Sequence, residues 1–319
     1  MKRIYLLLSL MCISGMGFAQ KIPRFNPDTV LTVTIDSAIT VTSTRLTIES
    51  FINEIINDTS FYAAFRNMKK YTFTAENRVF TYDKKNEVEG KIYRRIYHNN
   101  NGPYKMQFLD KKDEGKVYKR NGKYSLYTVE MFDYIFMNAY NSDFIPSAPV
   151  TGAKGESNES YKDKLKTLIF SPGRPIKGVP FIGSKTQIFS PNMRQYYDYS
   201  FYRGTYLDSI PVYRFKVAMK PGLSNWTKDG LMIKELTTIF DMRNFQILGR
   251  YVDMKYDNMA FDFDVQMNIE LGYFGEDQTL LPTKVTYQGN WDIPFRREER
   301  ASFLILHKGY SMGNGQVSK

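Results

Sequence analysis

Between Asn258 and Leu271 the chain alternates with few errors. Met259, Phe261, Phe263, Val265, Met267, Ile269 and Leu271 share one parity, and Asp262, Asp264, Gln266, Asn268 and Glu270 share the other. Strand side chains repeat every two residues, so this spacing predicts one long β-strand with an apolar face and a polar face. The acids and amides are expected to face water, whereas the apolar row needs a cover. What supplies that cover is the functional question.

The same signal recurs along the chain. Strands are expected at residues 30–41, 70–82, 89–98, 104–109, 116–120 and 123–129, then at 195–207, 212–219, 231–241, 246–256, 259–271, 283–288 and 301–309. Turn chemistry separates many of them: Asp83-Lys84-Lys85-Asn86, Asn99-Asn100-Asn101-Gly102-Pro103 and the two-residue signal Asn121-Gly122. Antiparallel neighbours follow. Asp110, Asp113 and Glu114 read as a lysine-rich turn, without the spacing of a calcium loop.

Three stretches carry helical spacing instead. Ile48, Phe51, Ile52, Ile55 and Ile56 form one stripe, with Thr44 or Thr47 as its cap. Phe61, Phe65 and Met68 form a second, starting near Asp58, and Met131, Phe132, Ile135, Phe136, Ala139 and Tyr140 a third. Two or three helices are few to cover a sheet of about ten or more strands. The expected fold is therefore mainly β (α+β): a large curled antiparallel sheet or half-barrel with two or three helices on its concave face. Residues 20–319 are expected to form one domain, with a long irregular insertion at about 141–190 that mixes a polar segment with one rich in Pro and Gly.

Residues 1–19 read as a secretory signal. Lys2 and Arg3 start it, an apolar run extends from Ile4 to Met11, and Gly17-Phe18-Ala19 forms a cleavage site before Gln20. The run is shorter than the roughly 20 residues that span a bilayer. The expected location is the periplasm or the outer membrane's periphery. Cys12, the only cysteine, lacks a small residue beside it in Ser9-Leu10-Met11, so cleavage after Ala19 is expected rather than lipidation at Cys12. That cleavage leaves no cysteine for disulfides, and losing Lys2 and Arg3 takes the net charge from +11 to +9. An exported basic chain points to an anionic membrane surface or glycan, or to solubility alone, and away from nucleic acid.

The chemical inventory is thin. His98 and His307 are the only histidines, neither at zinc-ligand spacing, and no Gly-x-Ser-x-Gly elbow, phosphate loop or Gly-x-Gly-x-x-Gly is present. Asp253, Asp257, Asp262 and Asp264 are the densest acids, and their alternation with apolar residues marks the solvated face of strands rather than a desolvated acid and base. No catalytic residue, metal or cofactor is expected. Aromatics dominate instead, with 24 Tyr and 23 Phe, and Tyr213, Phe215, Val217 and Met219 form a clean apolar face opposite Arg214 and Lys216.

The amphipathic helix at residues 48–56, followed by Tyr71-Thr72-Phe73-Thr74-Ala75-Glu76 opening a meander, resembles the Lol-type periplasmic lipoprotein carriers. Tyr202-Arg203-Gly204-Thr205-Tyr206-Leu207-Asp208 and Leu281-Pro282-Thr283-Lys284-Val285 are similar to segments of Bacteroidota envelope proteins. The resemblance implies an antiparallel half-barrel with helices in its greasy concavity, and a ligand with acyl chains. An exported, non-catalytic protein binding a hydrophobic ligand or lipoprotein is then expected, with Phe73, Tyr213, Phe215, Phe261, Phe263, Val265 and Met267 lining the site. Two other readings fit parts of the pattern: an outer-membrane β-barrel, and a glycosidase using strand-borne carboxylates such as Asp253 and Asp262. Asp28-Thr29-Val30, Asp36-Ser37-Ala38 and Asp208-Ser209-Ile210 are similar to the O-glycosylation signal of Bacteroidota.

Overall fold

The computed structural model describes residues 33–37, 46–101, 103–137, 169–174, 183–258, 261–292 and 297–312. The expected signal peptide, Cys12, Thr29, most of the 141–190 insertion and Met259 lie outside them. The fold is mainly β. Among the described residues eleven strands run β1 (Val33–Ser37), β2 (Tyr71–Tyr82), β3 (Val88–Asn99), β4 (Lys105–Gly115), β5 (Tyr197–Tyr206), β6 (Ile210–Met219), β7 (Ile233–Asp241), β8 (Ile247–Asn258), β9 (Phe261–Phe274), β10 (Thr279–Asp292) and β11 (Glu299–Met312). They build one open sheet in the order β1-β5-β6-β7-β8-β9-β10-β11-β2-β3-β4. Each neighbouring pair is antiparallel. The C-terminal strand β11 joins the two halves by pairing with both β10 and β2.

Helices α1 (Ile48–Asn57), α2 (Ser60–Asn67) and α3 (Tyr127–Phe132) lie along one face. Thr47 caps α1 through a capping box with Ser50. The Asp58 carboxylate accepts from the backbone N–H of Ser60 at 3.0 Å and of Phe61 at 3.1 Å, satisfying the first donors of α2. Phe51 on α1 packs over Phe215 and Phe240. On α2, Phe61 lies under the Arg250 guanidinium of β8, 4.5 Å away. Phe132 on α3 stacks on Phe303 of β11 at 3.9 Å. The cover thus proceeds from β5 to β11 in order.

The start of α3 is fixed from the sheet. Glu299 on β11 accepts from the N–H of Tyr127 at 2.8 Å and of Thr128 at 2.7 Å, and from the Thr128 hydroxyl at 2.6 Å. A carboxylate on the orphan donors of a helix start is a charge-assisted cap. Glu299→Ala is expected to lower the unfolding free energy by about 1–2 kcal/mol in a urea titration. A loss below about 0.3 kcal/mol would show that water replaces the cap without penalty.

Several expectations are corrected. Residues 110–114 do not form a turn: β4 continues through them to Gly115, because an edge strand has solvent on its open side and tolerates charge on both parities. Residues 123–129 are not a strand, since Tyr118 and Tyr124 form only an isolated bridge and α3 begins at Tyr127. The third helical stripe is α-helical to Phe132 and passes into a π turn at Asp133–Met137, while Ala139 and Tyr140 lie outside the described residues.

The largest correction concerns the polar row of β9. Asp262 and Asp264 are half-exposed, but Gln266, Asn268 and Glu270 are buried. Gln266 Nε2 donates to Tyr251 Oη at 2.9 Å, and Glu270 accepts from Asn268 at 2.8 Å and from Lys284 at 3.0 Å. Tyr206 shows why this face is not simply wet. By strand parity it lies on the side opposite Phe201 and the helices, yet its hydroxyl donates to the Leu271 carbonyl at 2.8 Å. In a flat sheet β5 and β9 stand roughly 19 Å apart. The sheet therefore coils towards this face near Tyr206, enclosing the polar row.

Candidate functional site

Most of the expected ligand-lining residues fall on the helix-covered face. Registers Phe215↔Thr238, Arg250↔Thr238, Val252↔Met267, Met254↔Val265 and Tyr256↔Phe263 put them on one parity across β6 to β9. Phe215, Phe263, Val265 and Met267 are buried and Tyr213 half-buried. Phe261 opens β9, and its side chain lies outside the described residues. The residues form two groups. Phe215 stacks on Phe51 of α1 at 4.9 Å with Tyr213 edge-on to the same ring at 5.8 Å. Phe263 stacks on Trp291 at 4.9 Å, alongside Val265 and Met267.

Phe73 stands apart, on β2 beyond the end of the helical cover. The two histidines, 209 positions apart in the chain by their numbers, meet at this ring. His98 on β3 stacks on Phe73 at 4.4 Å, and His307 on β11 meets its edge at 5.7 Å. Burial lowers His98 to about 4 and His307 to about 3, with the neighbouring His98 adding to the latter shift. Both imidazoles are therefore neutral at pH 7. They act as flat aromatic packing here, and among the described residues no group of three or more metal-ligating side chains exists.

From Phe73 the face leads out to solvent. His98 Nδ1 lies 2.8 Å from the Tyr104 hydroxyl, and Tyr104 is 41% exposed. Registers Ile96↔Phe108 and His98↔Met106 place Met106 and Phe108 of the edge strand on the same face, 40% and 45% exposed. The helix-covered face is thus filled by the protein's own side chains from β5 to β11, and bare and apolar along the first half of β4, before Lys111 and Asp113 take the same face. Sequence reading did not single out Tyr104, Met106 and Phe108 as a site. Their period of two was visible, but which strand forms an uncovered edge depends on pairing between distant segments.

The acids behave differently. Asp253 and Asp262 lie on the opposite face, half-exposed, and Asp262 pairs across strands with Asp257. Asp241, at the end of β7, is a fully buried carboxylate. The Arg243 guanidinium and the Tyr273 hydroxyl hold it ionised and below the usual carboxylate range, against the effect of burial. It closes the β7–β8 turn through the Arg243 N–H at 2.8 Å.

No family model matches this chain, and no curated protein matches it. Among solved structures it is similar to a DUF1329 family protein from Desulfovibrio piger. The alignment covers 84% of this chain and 94% of that one, with 9% sequence identity and a TM-score of 0.25. A likeness of that size supports no argument about fold or function, which rest here on the chain's own geometry.

Proposed function

We propose that this is an exported cell-envelope protein that binds an acyl chain on the helix-covered face of its sheet and does no chemistry on it. The observation that carries the reading is the bare continuation of that face at Tyr104, Met106 and Phe108, contiguous with buried Phe73. Exposed apolar side chains grouped on one strand face usually mark a contact with something apolar. An acyl chain lying across β4 and β3 reaches Phe73 first. To extend to Val265, Phe263 and Phe215 it must displace the helical cover, α3 over β11 and then α2 and α1, whose apolar stripes occupy that surface. Among the described residues α1 and α2 hold on chiefly through side-chain burial, with the exposed ion pair Glu49–Arg194 at 2.5 Å and a hydrogen bond from Arg174 to the Ile56 carbonyl at 2.6 Å. Neutral His98 and His307 suit an apolar ligand better than a charged one. The export-like start and the Lol-type resemblance support the same reading.

The test is organic extraction of the purified protein followed by mass spectrometry, paired with hydrogen exchange before and after added phospholipid. Acyl lipid is expected to co-purify, and lipid addition should raise exchange in residues 48–67. Phe108→Asp removes one exposed anchor and should weaken uptake about tenfold at unchanged stability. Absence of extractable lipid together with unchanged exchange in 48–67 would overturn the proposal.

A further inference from the structure

A second site lies away from this face. A cleft of about 540 Å³ opens between four segments, with Lys185, Tyr196, Trp226, Asp229, Tyr256 and Asp257 among its walls. Lys185 comes from the 3₁₀ turn Gly183–Thr186, and Tyr196 follows the one-turn helix α4 (Pro191–Arg194). Trp226 and Asp229 lie on α5 (Asn225–Gly230), between β6 and β7, and Tyr256 and Asp257 lie near the end of β8. Trp226 is 89% exposed, far more than any other large apolar side chain among the described residues.

An indole in water is the notable feature, because its large apolar area gains nothing there. Its mount is firm. Ser224 caps α5 by accepting from the Thr227 N–H at 3.2 Å, and the Lys234 ammonium donates to the carbonyls of Lys228 and Leu231 at the other end. Trp226 is therefore presented on an anchored turn. Across the cleft, Lys185 Nζ donates to the Tyr256 hydroxyl at 2.7 Å and sits 4.3 Å from the ring centroid.

The cleft thus combines a flat aromatic platform with hydrogen-bonding groups of both kinds: carboxylate acceptors at Asp229 and Asp257, an ammonium donor at Lys185, and the Tyr196 hydroxyl. An apolar ligand would cover the Asp229 and Asp257 carboxylates without offering them a hydrogen bond. An organic cation would suit the rings and carboxylates, but the Lys185 ammonium already occupies the Tyr256 ring and repels it. A neutral pyranose matches every wall: its C–H face stacks on an indole, and its hydroxyls both donate and accept. From this geometry we infer that the cleft is a carbohydrate-binding site, with Trp226 as the stacking platform and Asp229, Asp257 and Lys185 as hydroxyl contacts. This reading stands independently of the acyl-chain proposal.

The protein's two tryptophans make the test direct, because Trp291 is packed on Phe263 and Trp226 reports the cleft. The purified protein is titrated with cellohexaose, maltohexaose, xylohexaose and chitohexaose, and with choline chloride, while tryptophan emission is followed. At least one hexasaccharide is expected to shift the emission to shorter wavelength saturably, and choline is expected to leave it unchanged. Trp226→Ala should abolish that response without altering the melting temperature, since the side chain is solvent-exposed. In Lys185→Met the same sugar should bind roughly tenfold more weakly. Failure of all four sugars to bind, survival of the shift in Trp226→Ala, or a response to choline alone would overturn the inference.

Discussion

Phe51→Ala is expected to lower the unfolding free energy by about 3–5 kcal/mol, the range for deleting a fully enclosed aromatic side chain. Phe51 has no exposed surface and lies within ring contact of five others: Phe201 at 4.8 Å, Phe215 at 4.9 Å, Phe240 and Phe245 at 5.2 Å, and Tyr213 at 5.8 Å. These rings come from β5, β6, β7 and the β7–β8 turn, so one side chain ties α1 to four parts of the fold. A native domain has only about 5–15 kcal/mol in hand, which makes the expected loss a large share of the total. Urea titration gives the number, and Asn53→Ala, on the exposed side of the same helix, should stay within about 0.5 kcal/mol of the parent. The same variant also separates a plug from an ordinary core helix. If α1 occupies a ligand surface, Phe51→Ala should take up more lipid while being less stable. A drop in both would leave α1 as core alone.

Why α1 could be placed from the sequence and its partners could not is a matter of distance along the chain. The stripe Ile48, Phe51, Ile52, Ile55 and the Thr47 cap are local signals, and the structure has both. The apolar row of β9 was equally legible, since Phe263, Val265, Met267, Ile269 and Leu271 are all buried. Its polar row was misread because alternation reveals that a strand has two faces, not that the polar one is wet. Burial of Gln266, Asn268 and Glu270 follows from sheet coiling, and the residue that reports the coil, Tyr206, lies sixty positions earlier than Gln266 by number. Lysines and acids at 110–114 suggested a turn, whereas the position of β4 at the sheet edge removes the cost of charge on either parity. The Trp226 cleft had no local signature either. Its walls come from separate segments, and only the folded chain brings Lys185 to Tyr256.

Acid should unfold this protein through its two histidines. They face one another across Phe73 because β11, β2 and β3 are adjacent, with Phe73 opposite His98 and Ala75 opposite His307. Burial lowers them to about 4 and about 3, while an unfolded histidine titrates near 6.5. Between those limits the unfolded chain binds protons that the native chain refuses, so stability is fully present above pH 6.5 and falls as pH falls. From pH 7 to pH 5 the expected loss is about 2 kcal/mol per histidine, hence ~4 kcal/mol for the pair. The His98 contribution stops falling near pH 4, where the native imidazole also protonates, and that of His307 nearer pH 3. Carboxylates held low by partners, such as Asp241 beside Arg243 and Glu76 beside Arg78, add their own loss only in the more acid part of the range. Urea titrations at pH 7, 6 and 5 therefore isolate the imidazoles. In a His98→Gln, His307→Leu variant, weaker at pH 7 through lost packing, the dependence between pH 7 and 5 should be nearly flat. Parallel slopes in parent and variant would show that the histidines are not what acid attacks. Because His98 is bonded to Tyr104, its protonation also disturbs the bare strand face at β4. In the native chain that protonation comes only near pH 4, so lipid uptake should hold between pH 7 and 5 and weaken as pH approaches 4 in the parent and not in the variant.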